Sequence, residues 1–338
     1  MSAAWKKDWK LVGVLLPLLL IFIGFQKVTT KHDIPPVDVT VESGAASSHI
    51  ARKLAASNVI TSELQFKLLV RLTGKAGALK VGQYHFEGEM SLWDVLKKVE
   101  AGDVMRFQVT VPEGLRTLDI LLLLAEKTGT DEKDWRLATE ELMHGEEWEG
   151  RLLPESYSYS KPINPKQVLS QMISAQQRVI SSITKDSLNA ERLRIIASII
   201  EKETGVDSER PLVSAAIRNR IEIGMPLQMD PTVIYGIWRR DGSFSGNIRR
   251  KDLSSDTPWN SYTRRGLPPT PICNPGTASL RAAASPADVS YLYFVADGTG
   301  GHAFASTLEG HQANVKRWIK IEREQNRNRN INRDRKQK

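Results

Sequence analysis

The 338-residue chain has a single cysteine, Cys273, so it forms no intrachain disulfide and no cysteine-based zinc site. Its six histidines include no His-Glu-x-x-His and no pair at metal-ligand spacing. No glycine-rich phosphate loop is present, and the sequence calls for no metal or cofactor. It also lacks a basic body, although the formal charge is +8. The last 18 residues hold seven Lys/Arg against three acids, and residues 1–10 hold three lysines against one aspartate. The 310 residues between carry only +2, so a nucleic-acid groove loses its electrostatic support. Two apparent nucleophile motifs fail. Ser182-Ile183-Thr184-Lys185 and Lys127-Thr128-Gly129 fit the penicilloyl-serine pattern only in reversed order, and Phe244 stands where a nucleophile elbow needs Ser.

What is present is ordinary core material. Apolar residues make up 41% of the chain, which excludes wholesale disorder, and the length suits roughly two domains of about 150 residues. Residues 11–25 (LVGVLLPLLLIFIGF) carry no charge and follow Lys6, Lys7 and Lys10. With Trp5 and Trp9 at an interface and Lys10 and Lys27 snorkelling, this run reads as a short retained anchor over residues 11–28. A cleaved signal is the weaker reading, because no small-x-small site follows. The positive-inside rule then leaves residues 1–10 as a cytoplasmic stub and the body outside that membrane. Residues 29–37, with Pro35-Pro36, read as a linker. Residues 321–338 are basic, rich in Asn and Arg, and expected to be disordered.

A repeat follows the linker. Val39-Thr40-Val41-Glu42-Ser43-Gly44 matches Val109-Thr110-Val111-Pro112-Glu113-Gly114 at an offset of 70, and the match continues at Ile50/Ile120, Leu54/Leu124 and Ala55/Ala125. Alternating β-branched residues, a Gly turn and then helical apolar spacing make a strand–turn–helix unit. A looser copy runs from Tyr84 through a turn at Gly88 to Val99. The spacing predicts an α+β module over 38–105 and a larger region over 106–320. Helices are expected after Pro165, over Leu193–Thr204 ending at Gly205, and over Leu212–Ile223 ending at Gly224. Beyond 225 the chain reads as loop-rich, with a short strand at 291–296 and a closing helix over 311–324.

The helix at 193–204 carries the chemistry. On the helical wheel Glu203 projects near the middle of the apolar arc made by Leu193, Ile195, Ile196, Ile199 and Ile200, and Glu201 lies at its edge. A carboxylate there is costly unless paired, hydrated or neutral. One outcome is a buried pair, for example with Arg218 or Arg220, or fraying into solvent at the helix end. The other is a cleft floor where desolvation keeps a proton available, as a glycosidase general acid needs. The segment 224–236 adds amide, carboxylate, hydroxyl and aromatic groups suited to a sugar.

At these residues the chain resembles the YceG-like endolytic murein transglycosylases, bacterial inner-membrane enzymes that cut peptidoglycan strands. The resemblance spans almost the whole chain and is carried most strongly by Ala197–Arg210, Asn219–Gly236, Asn260–Gly276 and Tyr291–Phe304, with Leu153-Pro154-Glu155-Ser156-Tyr157 as a variant of the family's Pro-Asp-Thr-Tyr. It implies an α+β protein with one membrane helix, a LysM-like module at 38–105 and a catalytic domain with a lysozyme-like helical core. It implies a catalytic glutamate in Glu-Lys-Glu-Thr, placed at Glu203 with Glu201 as fallback. Gln228 is similar to the cleft glutamine of a related motif. Asp230, Tyr235, Tyr262 and Asn274 are further candidates for holding sugar, although Asp230 also reads as a turn residue beside Pro231. The implied product is a 1,6-anhydro end at N-acetylmuramic acid, with peptidoglycan strands as substrate, no cofactor and penicillin-binding synthases as expected partners. The rival from another class is a non-catalytic wall-binding scaffold.

Overall fold

A computed structural model describes residue 24 and residues 26–336. The fold is mixed α+β, and the described residues fall into two compact units. One contains the described residues up to Gln108 together with Ser158–Asn164, and the other contains Val109–Tyr157 and the chain from Pro165.

The first unit is built on an antiparallel pair, β1 (Lys31–Val41) and β2 (Gly82–Ser91). Between them run α1 (Ser47–Ala56) and α2 (Glu63–Leu72), and α3 (Leu92–Ala101) follows β2 directly. The alternation of β1 puts Val39 and Val41 into a core with Tyr84 and Phe86 of β2, and the helices add Ile50, Leu54, Phe66, Val95 and Val99. A reciprocal Ser91–Asp94 capping box starts α3, and Gly102 in the left-handed region stops it.

Two expectations are corrected here. Residues 31–37 are strand, not linker. Pro35-Pro36 sit where the register shifts between Ile34 and Val37, a bulge in a two-stranded sheet that needs no proline N–H. Gly88 is not a turn; it lies within β2 opposite Ile34.

β3 (Phe107–Thr110) pairs with β4 (Ser156–Tyr159), each strand having residues in both units, and in the second unit α4 (Thr117–Thr128) completes the second strand–turn–helix copy. α5 (Glu132–Met143) and α6 (Pro165–Ile183) lead to the central helix α7 (Ser187–Glu203). α7 packs against α8 (Arg210–Glu222), α9 (Asp230–Asp241) and α10 (Thr277–Ala284). Its Ala197, Ile199 and Ile200 join Val213, Ile217, Leu227, Met229 and Leu280 in one core. A hairpin of β5 (Tyr293–Ala296) and β6 (His302–Ala305) precedes the last helix, α11 (Leu308–Lys336).

Two further expectations fail in this unit. The stretch after 225 contains α9, because Pro231 occupies the first turn of a helix, where its missing N–H costs nothing, and Gly242 closes it in the left-handed region. Gly236 of α9 is required by contact: a Cβ there would lie 2.2 Å from Thr257 Oγ1. The basic tail is helical through Lys336 as part of α11, since its Arg, Glu, Gln and Lys are good helix formers and no Gly or Pro interrupts them. Among the described residues no helix is long and apolar enough to cross a membrane. The apolar run 11–25 lies, apart from Gly24, outside the described residues.

Candidate active site

The site begins at the last turn of α7. Asp186 caps its first turn by accepting from Leu188 N at 2.9 Å. At the other end Thr204 turns extended, so the helix stops before Gly205. Thr204 makes this stop with its own hydroxyl, which accepts from Val206 N at 3.0 Å and donates to Glu209 Oε2 at 2.8 Å. Glu209 also takes His302 N at 2.6 Å and meets His302 Nδ1 at 2.7 Å. Burial works against the Glu209 charge, but the bonds from His302 and Thr204 outweigh it and hold its carboxyl below the usual range. The β5–β6 hairpin is thereby fastened to the residue that follows Glu203.

Glu203 is half-buried, and its Oε1 is sealed from solvent with no hydrogen-bond partner. The pairing alternative is not what forms. Arg218 lies 3.8 Å from Glu222 and donates to Ala287 O, while Arg220 donates to Leu292 O at 2.6 Å and to Leu227 O. Among the described residues Glu203 makes no ion pair. Burial, then the nearby Asp230 charge, push its carboxyl up to about 8, against a weaker pull from Arg220. Its place at the negative end of the α7 dipole acts in the same direction. Its surroundings therefore favour the protonated form of Glu203.

Asp230 opens α9, where the helix dipole favours a carboxylate, and accepts the Tyr262 hydroxyl at 2.5 Å. Burial first, and that bond next, drive the Tyr262 hydroxyl well above its ordinary value, so it stays a donor. Gln228 has a positive φ of 50° and an exposed side chain, and its N–H donates to Ser261 O at 3.0 Å. The structure thus gathers Glu203, Asp230 and Tyr262 around Arg220, with Gln228 on the adjoining turn.

Tyr235 and Asn274 belong elsewhere. Both converge on Glu149, a residue only 5% exposed. Asn274 is fully buried; its Oδ1 accepts from Leu152 N at 2.8 Å and its Nδ2 donates to Thr117 Oγ1 at 3.0 Å and Glu149 Oε1 at 3.1 Å. Every polar atom of its side chain is committed internally, so its expected sugar contact is replaced by a scaffold role. The Tyr235 hydroxyl donates to Glu149 Oε2 at 3.1 Å, while its ring forms part of the wall of a cavity of about 510 Å³. Lys202, Pro231, Ile234 and Trp238 also line that cavity, and the Arg116 guanidinium lies 3.6 Å over the Trp238 ring. Glu201 is bound too: its Oε2 accepts from Gly276 N at 3.0 Å. Gly276 is forced by crowding, since a Cβ would come within 1.7 Å of Glu113 Oε1. Burial and the Glu201 charge raise the Glu113 carboxyl.

Sequence reasoning did not single out Glu149, Glu209 or His302. Glu209 and His302 stand inside two of the stretches that carried the resemblance, Ala197–Arg210 and Tyr291–Phe304, which was the available signal. Glu149 had none.

The model of the YceG-like family matches residues 39–317. The chain belongs to that family. This YceG-like chain is 30% identical over 315 residues to an endolytic murein transglycosylase of Bacillus subtilis (strain 168), covering 85% of this chain and 86% of that protein. It is 25% identical over 323 residues to an endolytic murein transglycosylase of Streptococcus pneumoniae, covering 82% of this chain. The YceG-like chain spans only 58% of that pneumococcal relative. A 2.6 Å crystal structure of a YceG-like protein from Listeria monocytogenes superposes with a TM-score of 0.53 at 26% identity, covering 83% of this chain and 99% of that one.

Proposed function

We propose that the chain is an endolytic lytic transglycosylase acting on peptidoglycan, with Glu203 as its acid and base. The observation that carries this reading is the Glu203 carboxyl: unpaired, sealed at Oε1, raised to about 8, and set beside Asp230 and Tyr262 at the end of α7. In the proposed reaction Glu203 gives its proton to the oxygen that bridges N-acetylmuramic acid and N-acetylglucosamine, and the bond from that oxygen to C1 breaks. The muramic 2-acetamido oxygen supports the positive charge at C1, as in substrate-assisted glycosidases. The Glu203 carboxylate then takes the proton of the same sugar's C6 hydroxyl as that oxygen attacks C1, giving a 1,6-anhydro end and restoring the acid. No water or cofactor enters the balance.

Tyr262, whose hydroxyl donates to Asp230 and leaves its oxygen to accept from a sugar hydroxyl, and Gln228 are the side chains assigned to orient the sugars. Arg116, stacked over the Trp238 ring in the wall of the neighbouring cavity, offers a guanidinium that can donate to a sugar hydroxyl. We place the body on the outer side of the bacterial inner membrane, held by residues 11–28 beside penicillin-binding synthases, and read the first unit as the LysM-like module.

Incubating the protein with peptidoglycan and weighing the released muropeptides tests the assignment. Anhydro-muropeptides support it. Hydrated reducing ends would make the protein a hydrolase, and an unchanged sacculus would make it the wall-binding scaffold.

A further inference from the structure

Helix α2 is only half used by the core of its unit. Phe66, Leu69 and Val70 point inward, while Leu64, Leu68 and Leu72 are 73%, 54% and 76% exposed. Spacings of four residues put these three leucines on one face, within about 80° of one another. Lys67 and Arg71 flank the same face at 20–60° from Leu64 on the other side. A row of leucines open to water is costly for a soluble surface and marks a contact.

Charge and chain path point to one occupant. From Leu64 to Phe86 there are four Lys/Arg and no Asp or Glu. Lys67 is paired with Glu63 at 2.8 Å and Lys75 with Glu100, but the exposed Arg71 has no partner among the described residues. Leucines beside basic residues on one helical face suit the surface of an anionic bilayer. The apolar run ends at Phe25 and β1 begins at Lys31, so even an extended connection spans at most roughly 20 Å. The entering strand also touches the approach to α2, because His32 Nε2 lies 3.1 Å from Val59 O, just before Ser62 caps the helix.

We infer that the Leu64–Leu68–Leu72 face of α2 lies on the anionic lipid surface of the membrane that holds the N-terminal run, resting the first unit against the bilayer. This rests on reading residues 11–28 as an anchor and is independent of the catalytic assignment. The contact fixes the orientation of the first unit, which a short tether alone leaves free to swivel.

The test uses the full chain in vesicles of phosphatidylcholine with phosphatidylglycerol. A bimane label is placed at Leu68→Cys or, as a control on the exposed part of β2, at Glu87→Cys; the native Cys273 is buried and unreactive. Nitroxide-bearing lipids are expected to quench the label at 68 several-fold more than at 87. Adding Arg71→Glu, or omitting phosphatidylglycerol, should reduce the difference. Equal quenching at both positions in floated vesicles would overturn the contact while leaving the anchor intact. A blue-shifted but unquenched label at 68 would show that protein, such as a second copy of the chain, covers this face, and would also overturn it. Failure of the chain to float after an alkaline wash would overturn the anchor and the contact together. Anhydro-muropeptide release, measured on the same samples, reports separately on the enzyme.

Discussion

Glu149, buried, and Glu203, half-buried, both lie in the second unit without a cationic partner among the described residues, and their surroundings are opposite. Glu149 collects donors: Thr117 N at 2.8 Å, Thr117 Oγ1 and Asn274 Nδ2 at 3.1 Å each, and the Tyr235 hydroxyl at 3.1 Å. Glu203 collects none at Oε1 and faces the like charge of Asp230. Burial raises both, Glu149 to about 7 and Glu203 to about 8. A shifted carboxyl is therefore not the mark of the working group here. A carboxyl saturated by backbone and side-chain donors ties segments together, whereas the half-buried Glu203 carboxyl keeps an oxygen that the fold does not use.

The sharpest way to break this contrast is to make each glutamate an amide. Glu203→Gln keeps the shape and removes the proton, so anhydro-product formation should fall by about 10³-fold, within the range for a general acid–base group, with the circular dichroism spectrum unchanged. Retention of a tenth of the activity would move the acid elsewhere. The same variant should alter pH dependence with a definite sign. The folded-state pKa of Glu203 lies above its ordinary 4.5, so the stability linked to its proton is full below 4.5 and is lost as pH rises through about 8. Glu203→Gln has no such loss. Its unfolding free energy, read from denaturant titrations, should gain on the wild type between about pH 5 and pH 8, by about 1.4 kcal/mol at most for each pH unit, and level off above. Wild-type activity should fall on the alkaline side near pH 8.

Glu149 should answer mainly in stability. Glu149→Ala leaves Thr117 N–H and the Tyr235 hydroxyl without their acceptor in a dry interior and takes one of several from Asn274, and denaturant unfolding should show a loss of about 3 kcal/mol. Glu149→Gln should cost about 1 kcal/mol, because its carbonyl can serve Thr117 and Asn274 while its amide faces Tyr235. Catalysis per folded molecule should change little in either. A pH–rate profile displaced in Glu149→Gln would mean that the two glutamates are not as separate as their partners suggest.

Glu209 joins the two behaviours, since it is saturated with donors yet fixes the residue after Glu203. Glu209→Ala frees Thr204 and the β5–β6 hairpin together. Misplacing a catalytic group by about 1 Å can cost up to 10²-fold, so kcat should drop by roughly 10- to 100-fold with KM changed far less. Glu209→Gln should recover part of that loss, because an amide oxygen can still accept from Thr204 and His302. Equal losses in kcat and KM for both variants would reduce Glu209 to a general fold contact.

How much of this could be read from the chain follows from the range of each signal. The two matched strand–turn–helix copies, and Glu203 on its apolar arc, are local patterns with periods of 2 and 3.6, and both stand in the structure. α9 was hidden because its Pro, Gly and polar residues suggest loop, although Pro231 occupies a favoured helix start. β1 was hidden by Pro35-Pro36, which only the facing strand shows to be a bulge. The partners of Glu149 and Glu209 could not be read at all. Asn274 is 125 residues from Glu149 and His302 is 93 from Glu209, and no spacing rule reaches across such intervals. The same blindness put Asn274 among the sugar ligands, since a buried amide and a cleft amide look alike until their partners are known.

The smallest expected effect separates neighbours on one helix. Glu201 and Glu203 share α7 and Glu201 also lies near a carboxyl, Glu113, yet its Oε2 is already occupied by Gly276 N. Glu201→Gln keeps an acceptor for that N–H and removes the charge that raises Glu113. Activity should stay within about threefold of wild type, the scale of one neutral hydrogen bond adjusted at the surface of the site. The Glu113 carboxyl should titrate at lower pH in the variant, a shift that carboxyl carbon NMR can follow. A loss as deep as that of Glu203→Gln, with Glu113 unmoved, would transfer the acid to position 201. The rule drawn from Glu149 would then fail, because a carboxyl already holding a backbone donor would be the one doing the chemistry.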